Sequence, residues 1–366
     1  MVDKESPIPI YIQIRDDIFD DVETGKYSAG EKLPSERQLA EQYDVTRVTI
    51  SKAIKLLNEQ GYIDIRRGAG SFVMDRKHSV NGTLKQIIGV LVPDIKRGIM
   101  VDLLRGIEDE AIANGYSTII CNTDNQLDKA NMYVDQLLGI GAKGVIYYPI
   151  QKLNGEEDRV WEVVERLIDN DTALVLIDHE CKQITTDLIV TDNFGGGFEM
   201  TEYLVKMGHR RIAVVYDYME TSIKDRISGY KESLKRHNIE FDPNLIQNIK
   251  EYGFTESFSE LVKLIKNELK ATAIFAMNDL LATDIYFHTN KLGIKIPEDL
   301  SVVGYDDLQF TDQISTPLTT IHQPLYEMGR ESLKLLLERL EKSDNRFRKA
   351  ILQNRLVVRK SVKKLT

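Results

Sequence analysis

Pro297-Glu298-Asp299-Leu300-Ser301-Val302-Val303-Gly304-Tyr305-Asp306-Asp307 decides the fold. The apolar run 300–303 has the length and β-branched content of a buried strand, and it breaks at a glycine with two carboxylates just beyond. Working outward, runs of the same kind recur at 86–92, 117–121, 144–148, 173–177, 188–190, 211–215 and 273–276. Stretches with helical periodicity, of roughly ten to twenty residues, fill most of the gaps between them. That rhythm predicts an α/β fold, parallel sheets flanked by helices. Two sheets of about 130 residues each fit the chain beyond residue 84, and such sheets bind ligands at the carboxyl ends of their strands.

At 366 residues the chain has the length of two or three domains. Hydrophobic residues at 42% and charged residues at 29% exclude a disordered or membrane-embedded class. The net charge of −9 gives no global pull toward nucleic acid or acidic membranes, although a local basic patch is sufficient for DNA. Cys121 and Cys181 form no CxxC pair, which argues against a disulfide framework and a zinc module. Met1-Val2-Asp3-Lys4-Glu5 lacks the basic start and apolar run of a secretory signal, and no apolar stretch is long enough to span a bilayer. A cytoplasmic protein without a membrane partner is expected.

The composition changes near residue 80. Asp75-Arg76-Lys77-His78-Ser79-Val80-Asn81-Gly82-Thr83 is polar and without periodicity, so the expected division is 1–75, a linker at 76–83, and 84–366. Charge is unevenly placed before that joint. Residues 1–31 sum to −5, from three basic and eight acidic side chains, whereas 32–78 sum to +3, from nine basic and six acidic. A solvated face and a DNA-binding patch are both compatible with that excess.

Pattern separates the two. Pro9 opens a helical repeat of Tyr11, Ile14, Ile18 and Val22 that ends at Gly25. Ser35-Glu36-Arg37-Gln38 has the form of a capping box, and the short helix after it stops at Tyr43-Asp44. Thr46 then caps a third helix on which Ile50, Ala53, Ile54 and Leu57 form one buried stripe, with Arg47, Val48, Ser51, Lys52 and Lys55 on the other side. Two short strands joined across Arg66-Arg67-Gly68-Ala69-Gly70 complete a winged helix-turn-helix, whose third helix enters the major groove N-terminus first.

Pro7-Ile8-Pro9-Ile10-Tyr11, Gly30-Glu31-Lys32-Leu33-Pro34-Ser35-Glu36-Arg37-Gln38-Leu39-Ala40, Val45-Thr46-Arg47-Val48-Thr49-Ile50-Ser51-Lys52-Ala53 and Arg66-Arg67-Gly68-Ala69-Gly70-Ser71-Phe72-Val73 resemble the GntR family across residues 7–74. The resemblance implies that Arg37 and Arg47 touch guanine edges, which suits their forked donors. It further implies contacts from Thr46 and Thr49 to bases or phosphates, backbone positioning by Ser35 and Lys52, and a wing at Arg67 and Gly68 reaching the minor groove or its phosphates. Ser35 and Thr46 have an alternative role as simple helix caps, and Arg37 as one half of a surface ion pair. Ser51 stands where many members carry a basic residue, so one phosphate contact is missing.

Catalytic signatures are absent from the remainder. Val92-Pro93-Asp94-Ile95-Lys96-Arg97-Gly98 lacks a dinucleotide-binding glycine turn, Gly195-Gly196-Gly197 lacks the lysine of a P-loop, and the six histidines show no metal-ligand spacing. Neither an enzyme nor a cofactor is expected. Ile88-Gly89-Val90-Leu91-Val92-Pro93-Asp94, Met207-Gly208-His209-Arg210-Arg211-Ile212-Ala213, Asp225-Arg226-Ile227-Ser228-Gly229-Tyr230, Ala276-Met277-Asn278-Asp279, Gly304-Tyr305-Asp306-Asp307 and Pro317-Leu318-Thr319-Thr320-Ile321 resemble the LacI/GalR effector domain over about residues 84–362. That resemblance implies a periplasmic-binding-protein architecture: two α/β lobes, each discontinuous in sequence, joined by three crossovers around a ligand. It places Arg226, Asp306, Asp178 and Asn278 on sugar hydroxyls, Gln323 at a crossover, and Tyr148 and Phe254 as candidate ring-facing aromatics. His209 is read as structural. Relatives often carry an aromatic pair where this chain has Ile99-Met100. Lys96 and Arg97 just before it are read as solvated surface, while leaving a phosphorylated or acidic sugar open.

Together the halves are similar to the bacterial arabinose-repressor subgroup. The expected function is a sugar-responsive repressor, with arabinose as the leading effector, acting as a homodimer on a pseudo-palindromic double-stranded DNA operator. A corepressor-dependent regulator, or a cytosolic sugar-binding protein or enzyme on the same fold, are the competing readings.

Overall fold

The structure is a computed structural model that describes residues 9–28, 30–59, 62–66, 70–74, 86–150, 161–180, 185–252, 257–341 and 346–365. The chain divides into two compact units, 1–85 and 86–366. The expected linker, 76–83, lies outside the described residues.

In the first unit, α1 (Ile10–Glu23) starts after Pro9, and Ile14 and Ile18 carry its buried face. The capping box of α2 (Glu36–Tyr43) forms: the Gln38 backbone N–H donates to Ser35 Oγ at 3.3 Å, and the Ser35 N–H donates to Gln38 Oε1 at 2.9 Å. This reciprocal pair satisfies two donors that a helix start otherwise leaves orphaned. Asp44 ends α2 with φ of 50°, a left-handed conformation that Asp tolerates, and so turns the chain into α3 (Arg47–Glu59). The whole predicted stripe of α3, Ile50, Ala53, Ile54 and Leu57, is buried against Ile14, Ile18, Leu33 and Leu39. β1 (Ile63–Arg66) and β2 (Gly70–Val73) pair antiparallel from Ile63↔Val73 to Arg66↔Gly70, giving the wing hairpin.

The second unit alternates strand and helix: β3 (Ile87–Val92), α4 (Ile99–Ala113), β4 (Ser117–Asn122), α5 (Leu127–Gly139), β5 (Gly144–Tyr147), α6 (Glu162–Asp169), β6 (Ala173–Ile177), β7 (Asp187–Thr191), α7 (Asn193–Lys206), β8 (Ile212–Tyr216), α8 (Thr221–Arg236), β9 (Ile246–Asn248), α9 (Ser257–Lys263), β10 (Ala273–Ala276), α10 (Asp279–Lys291), β11 (Ser301–Val303), β12 (Thr320–His322), α11 (Leu325–Glu341), β13 (Lys349–Leu352) and β14 (Arg355–Val357). Two parallel sheets result, in the orders β13-β7-β6-β5-β3-β4 and β11-β10-β8-β9, while β12 and β14 pair antiparallel. Their strands are near-continuous apolar runs because both faces are covered. One core cluster lies on each face of each sheet.

Each sheet is the centre of a lobe, and the chain crosses between lobes after β7, after β12 and after β13. The late segments α11 and β13 therefore belong to the first lobe. α11 packs so closely on α4 that a Cβ on Gly106 would stand 2.1 Å from the Tyr326 carbonyl oxygen. Gly197 meets α8 in the same way, with the added atom 2.1 Å from the carbonyl oxygen of Arg226. Within the run 195–197, Gly197 serves this helix–helix approach next to Arg226, while Gly196 makes room for the Tyr305 hydroxyl and Gly195 for the Asp192 carboxylate that caps α7.

Candidate ligand cleft and nucleic-acid interface

The strand ends do what a parallel sheet predicts. A small cavity of about 30 Å³ lies between the lobes, at the carboxyl ends of the strands. Tyr148, Asp178, Arg226, Asn278, Asp306 and Gln323 all line it. Phe254 lies outside the described residues.

Arg226, only 5% exposed, projects from the second turn of α8. Its Nε donates to Asn193 Oδ1 at 2.8 Å, its Nη1 donates to the Met277 carbonyl at 2.5 Å, and its guanidinium lies 3.6 Å from the centre of the Tyr305 ring. These contacts lock the fork while leaving Nη hydrogens for a ligand. Arg226 and Asp306 make no direct ion pair, although the guanidinium charge still opposes the effect of burial on the Asp306 carboxyl. Asn278 caps α10, its Oδ1 accepting from the Leu281 N–H at 2.8 Å, which leaves its Nδ2 hydrogens as donors.

Asp306 follows β11 with φ of 121°, and Asp178 follows β6 with φ of 65°. Non-glycine residues in that region carry strain of a kind that gathers at ligand clamps. Burial, opposed by Arg226, pushes the Asp306 carboxyl up to about 6. Burial and the nearby Asp306 charge likewise drive Asp279 well above the usual carboxylate range. Asp178 behaves in the opposite way: burial disfavours its charge, but the His179 ring, Arg226 and the Tyr148 hydroxyl outweigh it and hold the carboxyl below its ordinary value. The Tyr148 hydroxyl donates to Asp178 Oδ2 at 2.8 Å.

Gln323 links the site to the hinge. Its Oε1 accepts from the Thr191 hydroxyl at 2.7 Å, and its Nε2 donates to Asp306 Oδ1 at 2.7 Å. Two of the three crossovers and one carboxylate of the cleft therefore meet on one buried amide. Asn354, in the third crossover, donates to the Asp192 carbonyl at 2.9 Å and to the Tyr305 hydroxyl at 2.7 Å.

One expectation needs correction. Lys96 is exposed, but Arg97 is not solvated surface: it lines the cavity. Burial opposes its charge, and Tyr148, Glu220, Asp217 and Asp306 more than restore it. Sequence reading also missed Asp217, Glu220 and His179. His179 Nδ1 lies 3.2 Å from Asp178 Oδ2, and its Nε2 lies 3.8 Å from Glu220 Oε2 on the opposite lobe. Burial opposes protonation of the ring, yet Asp178 and Glu220 raise its pKa; burial raises that of Glu220. All four residues follow the carboxyl ends of β3, β6 and β8, so the strand-end rule itself would have flagged them. Asp178, His179 and Glu220 bring one ligand atom each within 4.8 Å of one another, the arrangement among the described residues that could hold a metal ion. Arg97 stands in the same wall and His179 is drawn toward its protonated, non-coordinating form, which suits a charge network better than a cation. His209 is structural, bonded to the Thr272 hydroxyl and the Lys363 carbonyl.

In the first unit, Arg37 and Arg47 stand exposed on the first turns of α2 and α3. Arg37 Nε pairs with Glu41 at 3.2 Å and Arg47 Nη2 with Glu36 at 3.3 Å. Exposed pairs of this kind contribute little and yield readily to a nucleic acid. Ser35 and Thr46 both act as caps, Thr46 Oγ1 accepting from the Thr49 N–H at 3.4 Å and lying 2.9 Å from the Thr49 hydroxyl. Lys52 is exposed, with Nζ 5.9 Å from the Tyr11 ring centre. Arg67 and Gly68 lie outside the described residues.

A winged helix with arginines on its outer helices, in one chain with a two-lobed cleft lined by polar donors and acceptors, defines a ligand-sensing DNA-binding regulator. Residues 10–73 match the gntR family of bacterial regulatory proteins, and residues 201–362 match the periplasmic binding protein-like domain. An arabinose metabolism transcriptional repressor from Geobacillus stearothermophilus is 26% identical over 99% of this chain and 100% of its own length. The transcriptional repressor PurR of Vibrio atlanticus is 30% identical over 76% of this chain and 81% of its own. A LacI family regulator from Enterococcus faecium, solved with bound ribose, is 30% identical with a TM-score of 0.66, covering 76% of this chain and all of that one. The chain belongs to the bacterial transcriptional regulators in which a gntR-family DNA-binding domain carries a LacI-type, periplasmic-binding-protein-like domain. These relatives are regulators rather than enzymes. No helix among the described residues is long and apolar enough to cross a membrane.

Proposed function

We propose that this protein represses a carbohydrate-utilisation operon in the cytoplasm as a homodimer on a pseudo-palindromic operator, and releases it when a neutral sugar, arabinose first, enters the cleft. The observation that carries this reading is the convergence of six side chains, from both lobes, on one cavity whose Gln323 bonds to Asp306 and to the hinge residue Thr191. Arg226 donates to adjacent hydroxyls, Asp306 and Asp178 accept from them, Asn278 adds a donor, and Tyr148 with Phe254 faces the ring. Arg97 already has Glu220, Asp217 and Asp306 around it, which favours an uncharged effector over an acidic or phosphorylated one. Closure on a sugar would move the lobes about the crossovers, and the sugar can shift operator affinity only by its preference for one lobe arrangement.

On the DNA side Arg37 and Arg47 read guanines, Thr46, Thr49, Ser35 and Lys52 hold the backbone, and the Arg67–Gly68 wing reaches the adjacent minor groove or its phosphates. A single winged helix spans one half-site, which motivates the dimer. The test is a thermal-shift screen of pentoses and hexoses on wild type and Arg226→Ala, followed by operator titration with the sugar that raises wild-type melting. Wild type should lose roughly 5–150-fold in operator affinity on adding that sugar, and Arg226→Ala should not respond. An equal response from Arg226→Ala sinks the site assignment, and tighter operator binding with sugar makes the effector a corepressor.

A further inference from the structure

We infer that Val48 reads the methyl group of a thymine in the major groove and is a specificity-determining residue of this regulator. The inference rests on α3 being the groove helix. Val48, 66% exposed, and Ile65, 47% exposed, are the exposed large apolar side chains among the described residues of the first unit. Single exposed apolar residues are common, so exposure by itself decides nothing. Position does. With about 100° per residue, Val48 points about 170° away from the buried stripe of Ile50, Ala53, Ile54 and Leu57. It therefore occupies the middle of the outward face, in the first turn, between Arg47 and Thr49 and one turn before Lys52. Residues in that turn of a recognition helix are the ones that reach base edges.

The side chain offers no donor and no acceptor, so it can satisfy no polar base edge. Thymine alone presents an apolar group in the major groove, its C5-methyl. Against cytosine, Val48 would cover an amino group without bonding it, which adds rejection of the wrong base to attraction for the right one. Arg47 on one side and Lys52 on the other hold the helix to guanine and phosphate, so the valine arrives at a fixed depth.

The experiment begins by selecting duplexes from a random pool with the full-length wild-type chain. Each thymine of the selected duplex is then replaced singly by deoxyuridine, which removes the methyl and leaves the pairing edge unchanged. Affinities are measured for wild type, Val48→Ala and Arg47→Ala. One thymine per half-site should show a loss of about fourfold for wild type on replacement, the worth of about 0.8 kcal/mol for one buried methyl-sized group. Val48→Ala should bind the thymine and uracil duplexes equally at that position, with its melting temperature unchanged, because the site is exposed and alanine favours helix. If no position separates wild type from Val48→Ala, the inference about Val48 is overturned. If Arg47→Ala also retains its preference for the selected duplex over random DNA, the groove-helix reading fails with it; if Arg47→Ala loses that preference, only the Val48 inference fails.

Discussion

Asp306→Asn should make the ligand-free sensor more stable while abolishing its sugar response. Asparagine has the same shape, tolerates the positive φ at this position, and can still accept the 2.7 Å bond from Gln323 Nε2. What disappears is a buried charge. Burial raises the Asp306 carboxyl from its ordinary 3.8 to about 6. At about 1.4 kcal/mol for each tenfold change in proton affinity, that rise corresponds to about 3 kcal/mol held against the fold at neutral pH. The sign follows from the direction of the shift. A carboxyl raised on folding binds its proton more tightly in the native state, so its contribution is fully favourable below about pH 4 and is lost as pH climbs through about 6. The advantage of the Asn variant should therefore be largest at pH 8, as a melting temperature higher by roughly 5 °C, and should shrink toward pH 4.5. Sugar affinity runs the other way in wild type, improving from pH 5 to 7 as Asp306 ionises and becomes a full acceptor, and is lost in the variant. Calorimetric melting across that range, with sugar titrations on both proteins, checks the argument. A variant that melts below wild type at pH 8, or a difference that does not change with pH, would refute it.

Other consequences are more local. Gly197→Ala places its Cβ 2.1 Å from the Arg226 carbonyl oxygen, so α8 must move; a stability loss of about 1–3 kcal/mol is expected, with weaker sugar binding and unaltered binding to non-specific DNA. Arg47→Ala should cost about 1–3 kcal/mol on operator and relax one guanine, whereas Lys52→Ala should weaken all duplexes alike and flatten the salt dependence, both measurable by titration at several salt concentrations. Sedimentation should report twice the chain mass, and Val101→Asp, on the exposed apolar strip with Ile95 and Ile120, should shift the protein toward monomer; a wild-type monomer that binds operator one per chain would contradict the dimer.

Much of this molecule is legible before folding because it is local. The Ser35–Gln38 box spans three residues, and the α3 stripe repeats with the helical period. The strands 87–92, 144–147 and 273–276 read as apolar runs because a parallel sheet buries both their faces. Asp178, Asn278 and Asp306 stand just beyond the carboxyl ends of β6, β10 and β11, where this topology puts ligand residues, although the LacI/GalR resemblance is what singles them out in the sequence. Arg97 was misplaced by the same local logic, since Lys96 and Arg97 are neighbours of equal charge and only the three-dimensional path sends one outward and the other into the cleft.

The sequence by itself determined the two-part plan, the helix and strand pattern, and the residue types proposed to contact DNA and sugar. Only the tertiary structure decided how those residues are charged and coupled. His179 meets Glu220 across the lobes, Arg97 meets acids from the far side of the cleft, and Gln323 ties Thr191 to Asp306 over a separation of 132 residues along the chain to Thr191. Each depends on two distant segments arriving together and expelling water, and the energy of a charge or hydrogen bond is set by that local desolvation, which no stretch of sequence contains.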